Sequence, residues 1–155
     1  MNQENRIDPD LSFEYSQITD QIYIGTSFDY PGHKSEKLLQ EGINAAISLE
    51  IERSKSPLGF EFYSRIPVED QQSPTRDQFK LGVVIIDTLV EMGKKIYIHC
   101  RAGQGRSPVL VAAYFISKGM SFEKAINKIR AKRPIINLEK IQIEGLKEYE
   151  ASLRK

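Results

Sequence analysis

The hydrophobic positions of this chain recur with two different periods, which alternate along the sequence. Alternating apolar residues and short apolar runs predict strands, and apolar residues three or four positions apart predict helices. Glycine closes several of these segments, as is typical of a helix C-terminus or a turn. In chain order the predicted elements are two short strands in FEYSQI and QIYIG, a helix over 35–41, strands over 45–49 and 63–68, a helix over 75–92, a strand over 95–98 and a helix from about residue 105.

Strands and helices therefore alternate through most of the chain. Such alternation predicts an α/β fold with a central, mostly parallel sheet, here of about five strands, flanked by helices. Ligands of these sheets bind at the carboxyl ends of the strands. We expect a single domain over residues 11–155, because a domain commonly takes about 100 to 150 residues. Residues 1–10 are polar and are expected to form a loosely ordered N-terminal segment.

The composition restricts the classes of function. The 155 residues include 22 basic and 21 acidic side chains, a net charge of +1 that argues against general binding of nucleic acid. No apolar run reaches the length of about 18 residues that a membrane-spanning helix needs. The first ten residues, MNQENRIDPD, lack the apolar core of a signal peptide. We therefore expect a soluble, cytoplasmic monomer that is not inserted into a membrane.

Cys100 is the only cysteine of the chain. No disulfide can form within the chain, which fits a reducing compartment such as the cytoplasm. One cysteine and two histidines are too few for a typical zinc site. We expect neither a metal nor an organic cofactor.

Cys100 lies in the segment HCRAGQGRS, residues 99–107, between a predicted strand and a predicted helix. Gly103 and Gly105 are expected to adopt positive φ angles, so that backbone N–H groups can surround a phosphate. The N-terminus of the following helix favours the same negative charge. Arg106 can donate to two phosphate oxygens at once, and the positive potential is expected to hold Cys100 as a thiolate. The predicted phosphate-binding residues are Arg101, Ala102, Gly103, Gln104, Gly105 and Arg106.

The pattern HCxxGxxR[ST], which residues 99–107 match, is the signature of the cysteine-dependent phosphatases. The chain resembles their compact dual-specificity branch. The resemblance continues in ITDQIYIG and FEFYSRIPVED before the loop, and in AAYFI, FEKAINKIRAKRP and LKEYE after it. It covers about residues 13–150, nearly the whole chain. The resemblance implies one phosphatase domain, a phosphocysteine intermediate and no cofactor.

The resemblance also implies which residue delivers protons. Cys100 would attack phosphorus and Arg106 would stabilise the transition state. The general acid of these phosphatases is an aspartate on the loop after a strand, a position that Asp70 in IPVED matches. Glu69 is the alternative acid, and a helix cap or a solvated loop residue is the structural alternative for Asp70. Asp77 is interpreted as a residue of a first helical turn.

Ser107 and His99 flank the loop. In the family a hydroxyl at the position of Ser107 hydrogen-bonds the thiolate, and a plain helix N-cap is the other interpretation. His99 is expected to be buried, to bond carbonyl groups of the loop and to act on Cys100 indirectly.

Two positions bear on the substrate. Arg101 follows the cysteine directly, as in related phosphoinositide phosphatases, and is either a solvated charge at the rim or a ligand for an additional phosphate. Those lipid phosphatases also carry a second basic residue where this chain has Gln104. The sequence therefore favours a phosphorylated protein, with phosphotyrosine first and phosphoserine or phosphothreonine next. A phosphoinositide or another non-protein phosphate ester is the alternative substrate.

Several further interpretations remain open. Arg130, Lys132 and Arg133 are interpreted as cations at a helix C-terminus rather than as a patch for anionic membranes. Tyr30 is a candidate for stacking on a phosphotyrosine ring. A module that binds phosphate without turnover is one alternative function. A sulfurtransferase is another, although it does not explain the segments after the loop.

Overall fold

The computed structural model describes residues 12–28, 34–53, 57 and 59–154. In chain order its elements are β1 (Tyr15–Gln17), β2 (Ile22–Gly25), α1 (Lys34–Gln40), β3 (Ile43–Glu50), β4 (Phe62–Val68), α2 (Arg76–Glu91), β5 (Lys95–His99), α3 (Arg106–Ser117), α4 (Phe122–Lys132) and α5 (Lys140–Ser152). The strands form one sheet in the order β1-β2-β5-β3-β4. Only the β1–β2 pair is antiparallel within this sheet. The predicted α/β fold with a mostly parallel sheet of about five strands is confirmed.

Local signals in the sequence set the ends of the helices. Thr75 begins α2 by accepting a hydrogen bond from the Gln78 backbone N–H at 3.1 Å, and the Gln78 side chain accepts one from the Thr75 N–H at 3.0 Å. Gly93, with a φ of +75°, follows the end of α2, and Gly42, with a φ of +81°, follows α1. These positive φ angles suit glycine, which has no Cβ to clash with the backbone.

Successive side chains of a strand point to opposite sides of the sheet. In the central strands the side chains on both sides are buried. One face carries the main core, in which Ile47 and Ile98 are fully buried and which α2, α3, α4 and α5 cover. A smaller cluster contains Leu38 of α1, Ala46 and Tyr97. Helix α3 is buried from Arg106 to Ile116, so it lies inside the domain rather than on its surface. Among the described residues, no helix has both the length and the apolar character needed to cross a bilayer.

The topology brings three chain segments to one edge of the sheet. Strands β3, β4 and β5 are parallel neighbours, so their carboxyl ends lie on the same side. In the register of these strands Ser48 is paired with His99 and Glu50 with Val68. The segments that follow these strands therefore meet at this edge, where ligands of α/β sheets commonly bind.

Candidate active site

Cys100 follows β5 and begins the loop that leads into α3. The side chain is buried, and its Sγ lies 3.2 Å from the Oγ of Ser107. Ser107 is the second residue of α3, and the N-cap position is taken by Gly105. The interpretation of Ser107 as a helix cap is therefore wrong, and its hydroxyl is placed to hydrogen-bond the sulfur.

The two glycines of the loop serve different purposes. Gly103 has a φ of +66°, and a Cβ there would lie 2.6 Å from the Gly25 carbonyl oxygen, so only glycine fits. Gly105 has a φ of −129°, so the expectation of a positive φ at this position is wrong. A Cβ on Gly105 would lie 2.9 Å from both polar atoms of the Gln142 amide. Gly103 turns the loop, and Gly105 lets α5 approach it.

Arg133 holds the outer side of the loop. Its fully buried guanidinium donates to the Gly103 carbonyl at 2.7 Å and to the Ala102 carbonyl at 3.1 Å. Glu14 accepts two further hydrogen bonds from it, at 2.8 and 2.5 Å. In a trans peptide the C=O and the next N–H point in opposite directions. The N–H groups of Gly103 and Gln104 therefore point away from Arg133 and can face a bound phosphate.

The interpretation of Arg133 as a charge on the helix dipole is therefore wrong. Arg133 is the C-cap residue of α4, and its side chain is committed to the loop and to Glu14. Arg130 and Lys132 are exposed cations in the last turn of α4, as expected.

Replacing Arg133 by methionine is expected to lower the free energy of unfolding by about 3 kcal/mol, the lower end of the range for breaking a buried ion pair, because Glu14 keeps contact with water. Two loop carbonyls would lose their donor at the same time. Denaturant unfolding measures this change. Arg130→Met, an exposed arginine of the same helix, is the control, and it should change stability by less than about 0.5 kcal/mol. Equal effects of the two substitutions would contradict the assignment.

Arg106 is held from behind by Glu52, a residue that the sequence did not single out. The guanidinium is 1% exposed, and it donates to the two Glu52 carboxylate oxygens at 2.9 and 2.7 Å. The Val68 carbonyl accepts a third hydrogen bond at 2.7 Å. Among the described residues the buried Nε of Arg106 has no hydrogen-bond partner, so this donor remains for a ligand. Glu52 thus fixes the plane of the guanidinium beside Cys100.

Arg106 and Glu52 keep each other charged. Burial alone would raise the pKa of Glu52, but the hydrogen bonds and positive charge of Arg106 outweigh it, and the pKa lies below its ordinary value of 4.5. Burial likewise would lower the pKa of Arg106, but the hydrogen bond to Glu52 and the nearby negative charges raise it. Both effects favour the ion pair at neutral pH.

The pair should make stability depend on pH. Because the pKa of Glu52 is lowered on folding, its contribution is complete above the ordinary pKa of 4.5 and is lost as the pH falls through the folded-state value. Glu52→Gln should therefore lower the melting temperature at neutral pH, and the gap to wild type should narrow as the pH drops below about 5. Thermal unfolding over this pH range measures the gap. The exposed Glu148→Gln serves as a control with no such trend, and a gap for Glu52→Gln that is independent of pH would refute the prediction.

Asp70 lies on the loop after β4 and faces the same site. Its Oδ1 is 3.4 Å from Nη2 of Arg106 and accepts a hydrogen bond from the Gln71 N–H at 3.0 Å. Asp70 and Cys100 line one cavity of about 270 Å³. Glu69 is exposed and is not among the described residues that line this cavity. Asp70 is therefore better placed than Glu69 to protonate a leaving group above Cys100.

The loop after β4 that carries Asp70, here called the acid loop, is hydrogen-bonded to α5 and to α2. Gln142 of α5, which is 1% exposed, donates to the Gln72 carbonyl at 3.1 Å, and Gln78 of α2 donates to the Pro67 carbonyl at 2.8 Å. The cap of α2 is Thr75, which removes the cap interpretation of Asp70, and Asp77 lies in the first turn of α2 as expected.

Asp70→Asn is expected to lower kcat/KM on an alkyl phosphate by roughly 100- to 1,000-fold, since a positioned acid contributes about 100- to 10,000-fold. The loss on 4-nitrophenyl phosphate should be much smaller, because nitrophenolate leaves without a proton. Steady-state kinetics on the two esters measure this contrast. Glu69→Gln is the matched control and should stay within about twofold of wild type on both esters. Equal losses on both esters in Asp70→Asn would remove Asp70 from the acid role.

His99 is buried, as expected, but its neighbour is a carboxylate rather than the loop carbonyls. Its Nδ1 lies 3.2 Å from Oε1 of Glu50, which is fully buried at the end of β3. The rings of Phe28 and Tyr97 pack against the imidazole, with centroids 5.1 and 5.5 Å away. His99 does not line the cavity as described, so any effect on Cys100 is transmitted through the strand end.

The remaining predicted residues fall at the rim or outside the described chain. Arg101 is exposed and lines the cavity together with Ala102, Gln104 and Gly105. Tyr30 and residues 1–10 lie outside the described residues. Within the described ranges, no three His, Cys, Asp or Glu side chains are grouped so that they could hold a metal ion.

Comparison with known proteins identifies a family whose members match most of this chain. Residues 22–152 match the family model described as "Dual specificity phosphatase, catalytic domain". The chain belongs to the dual specificity phosphatase family. It is 28% identical over 156 aligned positions to "Dual specificity protein phosphatase 5" of Rattus norvegicus, an alignment that covers 94% of this chain and 40% of that protein.

The similar proteins include both dual specificity protein phosphatases and phosphatidylglycerophosphate phosphatases. The human "Phosphatidylglycerophosphatase and protein-tyrosine phosphatase 1" is 34% identical over 93 residues, which cover 59% of this chain and 46% of that protein. The crystal structure of PTPMT1 superposes with a TM-score of 0.75 and 25% identity over 91% of this chain and 96% of that chain. The crystal structure of Tk-PTP in the active form superposes with a TM-score of 0.76 and is 26% identical in sequence. This superposition covers 94% of this chain and 99% of that chain. The chain spans less than half the length of the rat and human relatives.

Proposed function

We propose that this protein hydrolyses phosphate monoesters by double displacement through Cys100. The observation that carries the proposal is the grouping of Cys100, Arg106 and Asp70 around one cavity, with Ser107 3.2 Å from the sulfur. This grouping supplies a nucleophile, a cation for the transition state and a proton donor.

In the first step the Cys100 thiolate attacks phosphorus in line with the leaving oxygen. The S–P bond forms as the P–O bond to the leaving group breaks, and Asp70 gives its proton to the departing oxygen. The Nε of Arg106 and the N–H groups of Gly103 and Gln104 bind the equatorial oxygens, where negative charge is spread in the transition state.

In the second step water attacks the phosphocysteine. Asp70, now a carboxylate, accepts a proton from that water, and the S–P bond breaks to release inorganic phosphate. The Ser107 hydroxyl donates to the sulfur as it regains negative charge. The free enzyme is restored with Cys100 as a thiolate and Asp70 protonated. Positive charge comes from Arg106 and the loop throughout, so the route requires no metal ion.

The protein phosphatases and the lipid phosphatases among the relatives both support a phosphate ester as the substrate. They do not distinguish a protein hydroxyl from a lipid hydroxyl as the group that carries the phosphate. The sequence favours phosphotyrosine or phosphoserine and phosphothreonine in proteins, because Gln104 replaces a basic residue of the lipid phosphatases. A similar structure is described as PTPMT1 in complex with PI(5)P, which supports a lipid or another non-protein ester. Three statements remain predictions: the substrate is a phosphoprotein, the protein is cytoplasmic, and it is a monomer.

The test is hydrolysis of 4-nitrophenyl phosphate by the wild-type protein in excess chelator, from about pH 5 to pH 8. We expect turnover that the chelator leaves unchanged. Binding of phosphate without turnover would favour a phosphate-binding module instead. Thiocyanate formation from thiosulfate and cyanide, without ester hydrolysis, would favour a sulfurtransferase.

A further inference from the structure

Arg65 on β4 binds the chain segment that carries Glu52. Its Nε donates to the backbone carbonyl of Glu50 at 3.2 Å and to that of Arg53 at 3.0 Å. Its Nη2 donates to the backbone carbonyl of Ile51 at 2.9 Å. One guanidinium thus binds three backbone carbonyls that lie on both sides of Glu52.

The sheet alone does not fix this segment, because the pairing of β3 with β4 is irregular here. Ser48 lies opposite Arg65, but Glu50 lies opposite Val68, so a step of two residues on β3 corresponds to a step of three on β4. Strand β3 ends at Glu50, and residues 51–53 follow the end of the strand. A guanidinium presents its donors in a fixed plane, and it can therefore hold carbonyls that lie beyond the paired strands.

The side chain of Glu50 anchors only the start of the segment. Its carboxylate is fully buried, and Oε1 lies 3.2 Å from Nδ1 of His99 on β5. The two carbonyls that flank Glu52 are instead bound by Arg65. Removing the Arg65 guanidinium would therefore release the backbone around Glu52 and leave the end of β3 in place.

Glu52 transmits this constraint to the guanidinium that would bind phosphate. Its two carboxylate oxygens accept hydrogen bonds from Nη1 and Nη2 of Arg106 at 2.9 and 2.7 Å, so the plane of the guanidinium follows the position of the carboxylate. Groups in an active site work within about 0.5 Å and 10–20° of their productive geometry. A small displacement of the backbone at Glu52 is thus enough to turn the Arg106 fork away from the equatorial oxygens of the transition state.

We propose that Arg65 is a positioning residue for phosphoryl transfer, which acts on the transition state through Glu52 and Arg106. The inference rests on the proposed function and extends it to a residue outside the described lining of the cavity. Arg65 is exposed on the edge strand of the sheet, a place where charged side chains are common. Its three contacts with carbonyls distinguish it from an ordinary surface cation.

Arg65→Met should lower kcat on 4-nitrophenyl phosphate about tenfold, the rate equivalent of one weakened charge-assisted hydrogen bond. KM should stay within about twofold of wild type, because the Arg106 fork binds the transition state more tightly than the substrate. Arg130→Met, at an exposed arginine of α4, is the matched control and should leave both constants unchanged. An unchanged kcat in Arg65→Met overturns this inference alone, whereas no turnover by the wild-type protein overturns the proposed function as well.

A double-mutant cycle separates positioning from a loss of folded protein. Partial unfolding would also lower kcat, but by at least the same factor in a destabilised background. If Arg65 acts through Glu52, Arg65→Met should lower kcat by less than about twofold in a Glu52→Ala background, where the link to Arg106 is already broken. Arg106→Lys supplies a second background, which breaks the other end of the link, in case Glu52→Ala does not fold. A loss in these backgrounds as large as in the otherwise wild-type protein overturns the inference.

Discussion

Replacing Cys100 by serine is expected to lower kcat/KM on 4-nitrophenyl phosphate by at least about 10,000-fold, as removal of a nucleophile does in enzymes with covalent intermediates. A serine hydroxyl is not ionised at neutral pH, so it cannot replace a thiolate in this loop. Serine is close to cysteine in size, and the buried position can accommodate it without a new clash. Steady-state kinetics in chelator measure the loss, and phosphate binding shows that the loop is intact.

Ser107→Ala is the matched control for this result. It removes the hydroxyl 3.2 Å from the sulfur but keeps the nucleophile. We expect a loss of roughly 10- to 100-fold, because one hydrogen bond to a charged sulfur is worth about 1.5 to 3 kcal/mol. Turnover in Cys100→Ser close to that of wild type would show that another residue attacks phosphorus.

Replacing Arg106 by lysine is expected to lower kcat/KM by roughly 1,000-fold or more, within the range known for arginines that stabilise phosphoryl transfer. Lysine keeps the charge but cannot donate to both Glu52 oxygens, to the Val68 carbonyl and to a phosphate at the same time. The loss should appear mainly in kcat, since the guanidinium binds the flattened transition state better than the substrate.

Arg101→Lys is the matched control for Arg106→Lys, because Arg101 is an arginine at the rim of the same cavity. This residue is exposed and lines the cavity without belonging to the Glu52 pair. We expect a change of less than about tenfold on 4-nitrophenyl phosphate, since a surface charge contributes about 1 kcal/mol or less. An Arg106→Lys variant within tenfold of wild type would contradict the role of the guanidinium fork.

The sequence predicts the fold and the centre of the site because both depend on local patterns. Periodicity and turn residues mark the strands and the helices as far as the start of α3, and the alternation of these elements predicts a parallel sheet. Cys100, Arg106 and Ser107 lie within one nine-residue segment, so their proximity follows from a single loop. The prediction of Asp70 depends on the order of strands and loops that the resemblance implies.

The contacts that shape the site are non-local, and their residues have no local pattern. Glu52 and Arg106 are far apart in the sequence and meet because β3 and β5 are neighbours. Arg133 and Glu14 join the two ends of the domain beneath the loop. The positive φ predicted for Gly105 is wrong because a glycine can serve a close approach of two segments as well as a positive φ, and only the position of Gln142 distinguishes the two.

Trapping the phosphocysteine tests the central claim most directly. Wild-type protein and Asp70→Asn, in which loss of the base should slow the second step, are mixed with 4-nitrophenyl phosphate and quenched in acid within the first turnover. Mass spectrometry of the digested protein then locates the phosphoryl group. The account predicts one phosphoryl group on the peptide that contains Cys100, and none in Cys100→Ser. Turnover with no phosphoryl group on Cys100 would contradict it.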